Sequence, residues 1–212
     1  MIIYMTEGGK YFPVNNEKPR GLYINLTNRC NNDCPFCLRQ KKVMTAENSL
    51  WLEHEPTVDE VKKELDAAPL DIVTEIVFCG FGEPTIRLDA LLELLKYIKK
   101  IRPQIPTRLN TNGLGNLEHR RNIERDFENI LDTASISLNA ATPERYLQIT
   151  CSKFGLQAYD AMLTFAENIK NFVPHVVLTI VDKVTPPAEI EQCKKICEGR
   201  GLTLRIRPYE DN

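Results

Sequence analysis

Three cysteines lie close together near the amino terminus of the chain, at Cys30, Cys34 and Cys37, with the spacing CxxxCxxC. Thiolates at this spacing can hold one soft metal centre, either an iron–sulfur cluster or zinc. A closed site of either kind normally uses four protein ligands. A four-iron cluster held by only three cysteines leaves one iron open, so the spacing favours a reactive centre. A structural zinc loop whose fourth ligand lies elsewhere in the chain is the alternative.

A second stretch with chemical potential is Gly80-Phe81-Gly82-Glu83-Pro84, about fifty residues after the cysteines. Glycines let the backbone approach a ligand closely and donate N–H groups to it. The carboxylate of Glu83 can accept hydrogen bonds from an ammonium group. Alone, such a segment is more often an ordinary turn, but behind a three-cysteine loop it predicts a ligand site.

Composition excludes several classes of function. The chain of 212 residues carries 27 basic and 29 acidic residues, mixed along the sequence, so it shows no electrostatic footprint for nucleic acid. No apolar run approaches the length of a membrane span, and the apolar start Met1–Met5 is too short for a signal peptide. The odd cysteine count, 7, favours reduced thiols and metal binding over a disulfide framework. We therefore expect a cytoplasmic protein.

Six apolar segments alternate with helical patterns after residue 20, which predicts an α/β fold of parallel βα units with right-handed crossovers. The predicted strands are 21–27, 75–79, 107–112, 134–139, 176–182 and 202–207. The predicted helices have capped starts at Thr57, Thr142 and Thr185, or cover 91–98, 118–131 and 158–172. Six units are too few to close an eight-stranded barrel, so an open barrel or a doubly wound sheet remains. We expect one domain, 1–212, with a leading segment at 1–20 that turns at 7–10 and a core at 21–208.

The cysteine loop and the glutamate segment together resemble the signatures of radical S-adenosylmethionine (SAM) enzymes. The resemblance covers residues 21–208, and the runs Tyr23–Cys30, Phe78–Thr85 and Leu109–Gly113 are most similar to the small TatD-associated radical SAM proteins. The 7-carboxy-7-deazaguanine synthases are similar in size but usually carry Asp-Thr after the third cysteine, where this chain has Leu38-Arg39. Glycyl-radical activating enzymes share the cysteine spacing. The resemblance implies an open, partial six-unit βα barrel.

The resemblance also implies the cofactors. Cys30, Cys34 and Cys37 would bind a [4Fe–4S] cluster whose open iron chelates the amino and carboxylate groups of SAM. Phe36, the aromatic residue before the last cysteine, belongs to the same signature and is expected at the cofactor. An electron passed to the SAM sulfonium would release a 5′-deoxyadenosyl radical that takes a hydrogen atom from a substrate. No other cysteine is expected to ligate the cluster.

In this superfamily the segment that matches residues 80–84 is usually Gly-Gly-Glu-Pro and holds the SAM amino group. The resemblance therefore gives Gly80, Gly82, Glu83 and Pro84 to SAM binding, with Glu83 in the catalytic set beside the cysteines. Phe81 departs from the pattern because it stands where the first glycine of that tetrad would be.

Strand alternation predicts a polar interior, because side chains two residues apart share a face. Functional residues of parallel βα folds gather at the carboxyl ends of strands. The polar positions there are Asn110, Asn112, Ser137, Asn139, Arg205 and Arg207. We expect Asn112, Ser137 and Asn139 near the SAM sugar and base, with Asn110 beside them. Arg205 and Arg207 should face inward to meet a carboxylate of SAM or of an anionic substrate. Leu204 and Ile206 should then lie on the opposite, apolar face.

The four remaining cysteines favour packing over chemistry. Cys193 and Cys197 are four residues apart on one helix face, and Cys79 ends an apolar strand as a small hydrophobe would. Cys151 lies in a loop, where both readings stay open.

Two further groups of residues lie near the cysteine loop in sequence. Arg39, Lys41 and Lys42 either dock an acidic flavodoxin or ferredoxin as electron donor or form an ordinary solvated charge run. Trp51 and His54 either cover the site or anchor their loop.

Two classes of function remain. The first is a radical SAM enzyme acting on an unidentified substrate. The second is a non-catalytic iron–sulfur or zinc protein that senses redox state or mediates an interaction. The glutamate segment and the polar strand ends favour the enzyme, because a structural metal centre requires neither.

Overall fold

A computed structural model describes residues 1–7, 10–41 and 49–209 of the chain. The described residues form two compact units. The first unit lies within Met1–Cys30, Val43–Asn110 and Asn129–Asp132, and the second within Asn31–Lys42, Thr111–Glu128 and Thr133–Asn212. Among the described residues, no helix is long and apolar enough to cross a membrane.

The first unit is built on strands in the order β2-β1-β3-β4-β5. The strands are β1 (Ile3–Glu7), β2 (Lys10–Phe12), β3 (Arg20–Ile24), β4 (Val73–Phe78) and β5 (Thr107–Thr111). The first two form the expected antiparallel hairpin, although residues 8 and 9 of its turn lie outside the described residues. From β3 onward the pairing is parallel.

The described residues of the first unit include the helices α2 (Val58–Ala67) and α3 (Leu88–Ile101), with 3₁₀ turns at Leu70–Ile72 and Pro84–Arg87. Helix α2 begins with the predicted capping box, in which Thr57 accepts from the amide of Glu60 and the Glu60 carboxylate accepts from the amide of Thr57. One face of the strands is fully buried and apolar, with Leu22, Ile24, Ile76, Phe78 and Leu109.

The second unit contains parallel strands in the order β6-β7-β8. They are β6 (Thr133–Ser137), β7 (His175–Val181) and β8 (Thr203–Arg207). Its helices are α1 (Leu38–Lys41), α4 (Gly115–His119), α5 (Pro143–Thr150), α6 (Gln157–Ile169) and α7 (Pro187–Gly199), with a 3₁₀ turn at Glu124–Phe127. In each unit the described parallel strands alternate with helices, which confirms the predicted open α/β fold class.

Strand alternation is confirmed in the second unit. Leu204 pairs with Leu178, which is fully buried, whereas Arg205 pairs with Thr179 on the other face. Arg207 follows Arg205 two residues on and shares its face. Ile206 lies on the apolar face but remains 44 % exposed, because β8 is the last strand of the order.

Two predicted elements are wrong in detail. Instead of a helix over 118–131, the chain forms the short helix α4 and a 3₁₀ turn, because Arg120 and Asn129 adopt left-handed backbone conformations that interrupt a helix. The apolar spacing of the predicted helix arises from side chains that are buried there, among them Ile123 and Phe127.

The second error concerns the start of α7. Its N-cap is Pro186, with no side-chain capping bond, and the Thr185 hydroxyl donates instead to the carbonyl of Asn139 at 2.9 Å. Thr185 therefore holds the segment that follows β6 and does not cap the helix.

Candidate functional site

The run that leads from β3 to the first cysteine is held by a second segment of the first unit. Asn25 donates from Nδ2 to the carbonyl of Leu50 at 2.6 Å. Asn28 donates to the carbonyl of Leu52 at 2.8 Å and accepts from the Leu52 amide at 3.1 Å. The two asparagines therefore fix the backbone around Trp51 to the approach of the cysteine loop, a function that the sequence alone does not reveal.

Glu55 holds the segment between β3 and Cys30 through the side chains of Thr27 and Arg29. Its carboxylate accepts two hydrogen bonds from the Arg29 guanidinium, at 2.6 and 2.9 Å, and one from the Thr27 hydroxyl. The hydrogen bond from Arg29 lowers the pKa of Glu55 below its ordinary value. Because Arg29 directly precedes Cys30, this ion pair positions the first residue of the cysteine motif.

The glutamate segment packs against the same run. The amide of Glu83 donates to the carbonyl of Arg29 at 2.8 Å. A Cβ atom at Gly82 would overlap the carbonyl oxygens of Thr27 and Arg29, and one at Gly80 would overlap the Asn25 side chain. Close packing of the backbone therefore already requires both glycines, which is a reason different from the predicted approach of a ligand.

Glu83 itself is buried, with 4 % of its surface exposed. Its Oε1 accepts from the Thr85 amide at 3.1 Å and from the Thr85 hydroxyl at 2.8 Å. Pro84 begins the 3₁₀ turn that this carboxylate caps. Thr85 thus orients the carboxylate, and the sequence gives no separate signal for this second residue.

The polar face of the first unit carries an ion pair. Arg108 binds Glu75 through two hydrogen bonds of 2.8 and 3.0 Å, and its Nη1 also donates to Asn110 Oδ1 at 3.4 Å. Burial alone would lower the pKa of Arg108, but the hydrogen bonds to Glu75 outweigh it, so that pKa is raised. Asn110 therefore lies on the predicted face, with its oxygen engaged by Arg108.

Tyrosines line the neighbouring part of that face. Tyr4 stacks on Tyr23 with ring centroids 5.3 Å apart, and its hydroxyl donates to the carbonyl of Cys79 at 3.0 Å. Burial raises the pKa of Tyr4 well above its ordinary value, so the phenol stays neutral. Cys79 is half-buried at the end of β4.

In the second unit, the cysteine loop is tied down by main-chain bonds and by an amide pair. The amide of Asp33 donates to the Thr150 carbonyl at 2.8 Å, and the amide of Lys153 donates to the Asn31 carbonyl at 2.9 Å. Asn112 donates from Nδ2 to Asn31 Oδ1, while its own Oδ1 accepts from the Leu114 amide at 3.0 Å. Asn112, predicted beside the SAM sugar, therefore holds the cysteine loop in this structure.

The three motif cysteines are half-buried, as is the neighbouring Phe36. Among the described residues, no three histidine, cysteine, aspartate or glutamate side chains converge as a ready-made metal site. The Cys34 Sγ lies 3.7 Å from the Thr150 carbonyl, which it would leave to ligate iron. Three cysteine sulfurs at this spacing are nevertheless donors of the kind that hold an iron–sulfur cluster.

The predicted residues of β6 and β8 also belong to the second unit. Ser137, Thr179 and Arg205 lie side by side in the paired register, and Arg205 is exposed. Asn139 follows β6 in a left-handed conformation, φ 61°, and is buried. These positions share the polar face that strand alternation predicts.

The remaining cysteines are placed as expected. Cys193 and Cys197 are buried in α7, and burial raises their pKa values to about 12 and about 11, which keeps both thiols protonated and inert. Cys151 is exposed at the end of α5.

The charged residues that follow the cysteine loop, and His54, have different surroundings. Arg39 is largely buried and binds Asp33 at 2.9 Å, so its charge is engaged within the loop. The side chain of Lys41 and the whole of Lys42 lie outside the described residues. His54 lies 3.2 Å from Glu60 at the start of α2.

Comparison with known proteins identifies the family of the chain. The model of the Radical SAM superfamily matches residues 24–195. A protein of Thermococcus kodakarensis named a probable GTP 3′,8-cyclase is 30 % identical over 191 residues, which cover 89 % of this chain and 56 % of that protein. The chain thus spans about half the length of that relative.

Two further similarities extend the comparison. A protein of Methanocaldococcus jannaschii provisionally named a glycyl-radical enzyme activating enzyme is 27 % identical, over 85 % of this chain and 70 % of that protein. The crystal structure of Streptococcus suis SuiB bound to precursor peptide SuiA has a TM-score of 0.67 at 17 % identity, and the alignment covers 91 % of this chain and 40 % of that one. The structural likeness shows a shared fold.

A first prediction concerns Gly82. Replacing Gly82 with Ala should lower the free energy of unfolding by about 1–3 kcal/mol, because the added methyl group meets two backbone carbonyls that cannot turn away. Urea unfolding of both proteins measures the difference. Gly199→Ala is the matched control, since a Cβ there meets nothing within 4 Å and should leave stability unchanged or slightly higher. Equal stability of the Gly82 variant and wild type would contradict the packing account.

A second prediction concerns Asn112. Its replacement by alanine removes two buried hydrogen-bond partners and should cost about 1–3 kcal/mol of stability. It should also speed amide hydrogen exchange in residues 31–37, which mass spectrometry resolves. The exposed Asn122→Ala is the control. Unchanged exchange in the cysteine loop of the Asn112 variant would show that this amide does not hold the loop.

Proposed function

The chain belongs to the radical SAM superfamily, whose members use a [4Fe–4S] cluster and SAM, and we propose that it is a radical SAM enzyme. Cys30, Cys34 and Cys37 would hold the cluster, and Glu83 would hold the amino group of SAM. When bound, the cluster supplies the electron that cleaves SAM to a 5′-deoxyadenosyl radical, which takes hydrogen from the substrate.

One observation carries the proposal. The buried, oriented carboxylate of Glu83 is joined through its own amide to Arg29, the residue before Cys30. A structural zinc or iron–sulfur loop does not require a buried carboxylate beside its first cysteine. An enzyme that binds a cationic ligand beside its cluster does require such a carboxylate. The buried Glu83 therefore favours an enzyme over a redox or interaction module.

Different residues of the chain would bind different parts of SAM and the substrate. Glu83, oriented by Thr85, accepts from the ammonium group of SAM, with Gly80, Gly82 and Pro84 setting the turn. The polar strand faces would contact the sugar, base and substrate through Asn110, Asn112, Ser137, Asn139 and Arg205. The buried Asn112 keeps its bond to Asn31, so its contribution would be to hold the loop as much as to touch the nucleoside.

The subgroup and reaction are also proposed. The runs Phe78–Thr85 and Leu109–Gly113 favour the TatD-associated radical SAM proteins. Similarity to proteins named for GTP cyclisation and for glycyl-radical activation keeps both kinds of reaction as alternatives, beside a 7-carboxy-7-deazaguanine synthase-like one. The odd number of cysteines, 7, favours reduced thiols and supports a cytoplasmic location.

An electron donor of the flavodoxin or ferredoxin type would be the partner. Lys41 and Lys42 follow the cysteine loop in sequence and are the proposed contacts, whereas Arg39 is engaged by Asp33. Reversing both lysine charges to glutamate should slow reduction by a flavodoxin but not by dithionite. Lys195→Glu, an exposed lysine of α7, is the control. Equal rates with both reductants would leave the lysines as ordinary surface.

The test of the SAM site is Glu83→Gln. The substitution removes the charge but keeps the shape, so the cluster should load normally while SAM affinity falls by about 1.5–3 kcal/mol, the scale of a charge-assisted hydrogen bond. Iron content and equilibrium binding under anaerobic conditions measure the two effects. Glu53→Gln, an exposed carboxylate of the same unit, is the control. Wild-type affinity in the Glu83 variant would mean that the segment is only a turn.

A further inference from the structure

Arg87 is a largely buried cation at the end of the turn that Glu83 begins. It is the last residue of the 3₁₀ turn Pro84–Arg87, which the Glu83 carboxylate caps. Its Nη1 donates to the carbonyl of Leu26 at 3.2 Å and to the carbonyl of Pro56 at 2.5 Å. The guanidinium therefore ties the end of this turn both to the run that follows β3 and to the segment that precedes α2.

The carboxylate of Glu55 lies between this arginine and another one. Its Oε2 is 3.7 Å from Arg87 Nε, and its two oxygens also accept from Arg29 at 2.6 and 2.9 Å. Arg29 directly precedes Cys30. One carboxylate thus joins the arginine beside the first cysteine to the arginine that ends the Glu83 turn, and it provides the negative charge that two neighbouring guanidinium groups require.

The ion-pair bridge supplements the direct backbone contact at the start of the turn. There the amide of Glu83 donates to the carbonyl of Arg29 at 2.8 Å. A turn that is attached at its start alone can still rotate about that attachment. Because Arg87 and Glu55 attach its other end, the bridge restricts the orientation of the turn as well as its distance from the cysteine motif.

We propose that Glu55 is a positioning residue for SAM, which orients the Glu83 turn relative to Cys30 through its two arginines. This rests on the proposed function, in which Glu83 and the cluster on the cysteines hold one and the same SAM molecule. A ligand that is held at two points binds strongly only where those points are fixed at its own spacing. Glu55 therefore contributes to SAM affinity without contacting SAM.

The experiment measures SAM affinity by anaerobic calorimetry on the cluster-loaded protein without reductant, together with bound iron. Glu55→Gln and Arg87→Lys should each weaken SAM binding about three- to tenfold and leave the iron content normal. Lysine keeps the charge of Arg87 but cannot reach the same partners with a planar group. The double variant should lose less than the product of the two single losses, because both substitutions break one bridge.

Glu60→Gln is the matched control. Glu60 lies five residues after Glu55, but its carboxylate bonds to Thr57 and His54 at the start of α2 and to neither arginine. The control should lower stability, because it weakens the helix cap, and should leave SAM affinity unchanged. It therefore separates a general loss of stability from a loss of positioning.

Amide hydrogen exchange of the cluster-free protein gives a second readout. Glu55→Gln should speed exchange in residues 26–30 and 83–87 together, whereas Glu60→Gln should speed it in α2 alone. Wild-type SAM affinity in the Glu55 and Arg87 variants, an equal loss in the control, loss of iron along with SAM, or unchanged exchange in residues 83–87 would overturn the positioning role and leave the proposed function standing. Failure of the cluster-loaded wild-type protein to bind SAM would instead refute the proposed function.

Discussion

The contact between the Gly82–Glu83 backbone and the carbonyls of Thr27 and Arg29 is the constraint on which the candidate site depends. It joins the segments that follow β3 and β4 beyond the ends of both strands. It leaves no space for a side chain at Gly82, so the turn packs directly on the two carbonyls. The Glu83 carboxylate and the approach to Cys30 are consequently fixed by the same few atoms.

Other interactions of the first unit reinforce this contact from outside. Glu55 binds Arg29, and Asn28 binds Leu52, so a segment that follows the cysteine loop in sequence returns to support its beginning. The amide side chain of Asn28 suits this purpose, since it can both donate to and accept from backbone groups. The exposed Trp51 is a product of the same arrangement, because its flanking leucines are drawn inward.

Much of the fold could be predicted from sequence because it follows from short-range patterns. Alternation placed Leu204 and Arg205 on opposite faces, and the capping box placed the start of α2. The interruption of the helix near Arg120 could not be predicted. The apolar side chains between Arg120 and Asn129 have helical spacing, and nothing in the sequence marks these two residues as left-handed. The bonds from Asn28 to Leu52 and from Asn112 to Asn31 join residues far apart in the chain, and a single sequence carries no signal for such pairs.

Formation of 5′-deoxyadenosine is the most direct test of whether the three cysteines and Glu83 support SAM cleavage. The protein would be loaded anaerobically with iron and sulfide, reduced with dithionite and supplied with SAM. We predict 5′-deoxyadenosine from the wild-type protein and none from Cys34→Ala, which should also lose bound iron. Absence of the product from cluster-loaded wild-type protein, or equal amounts from the Cys34 variant, would contradict it.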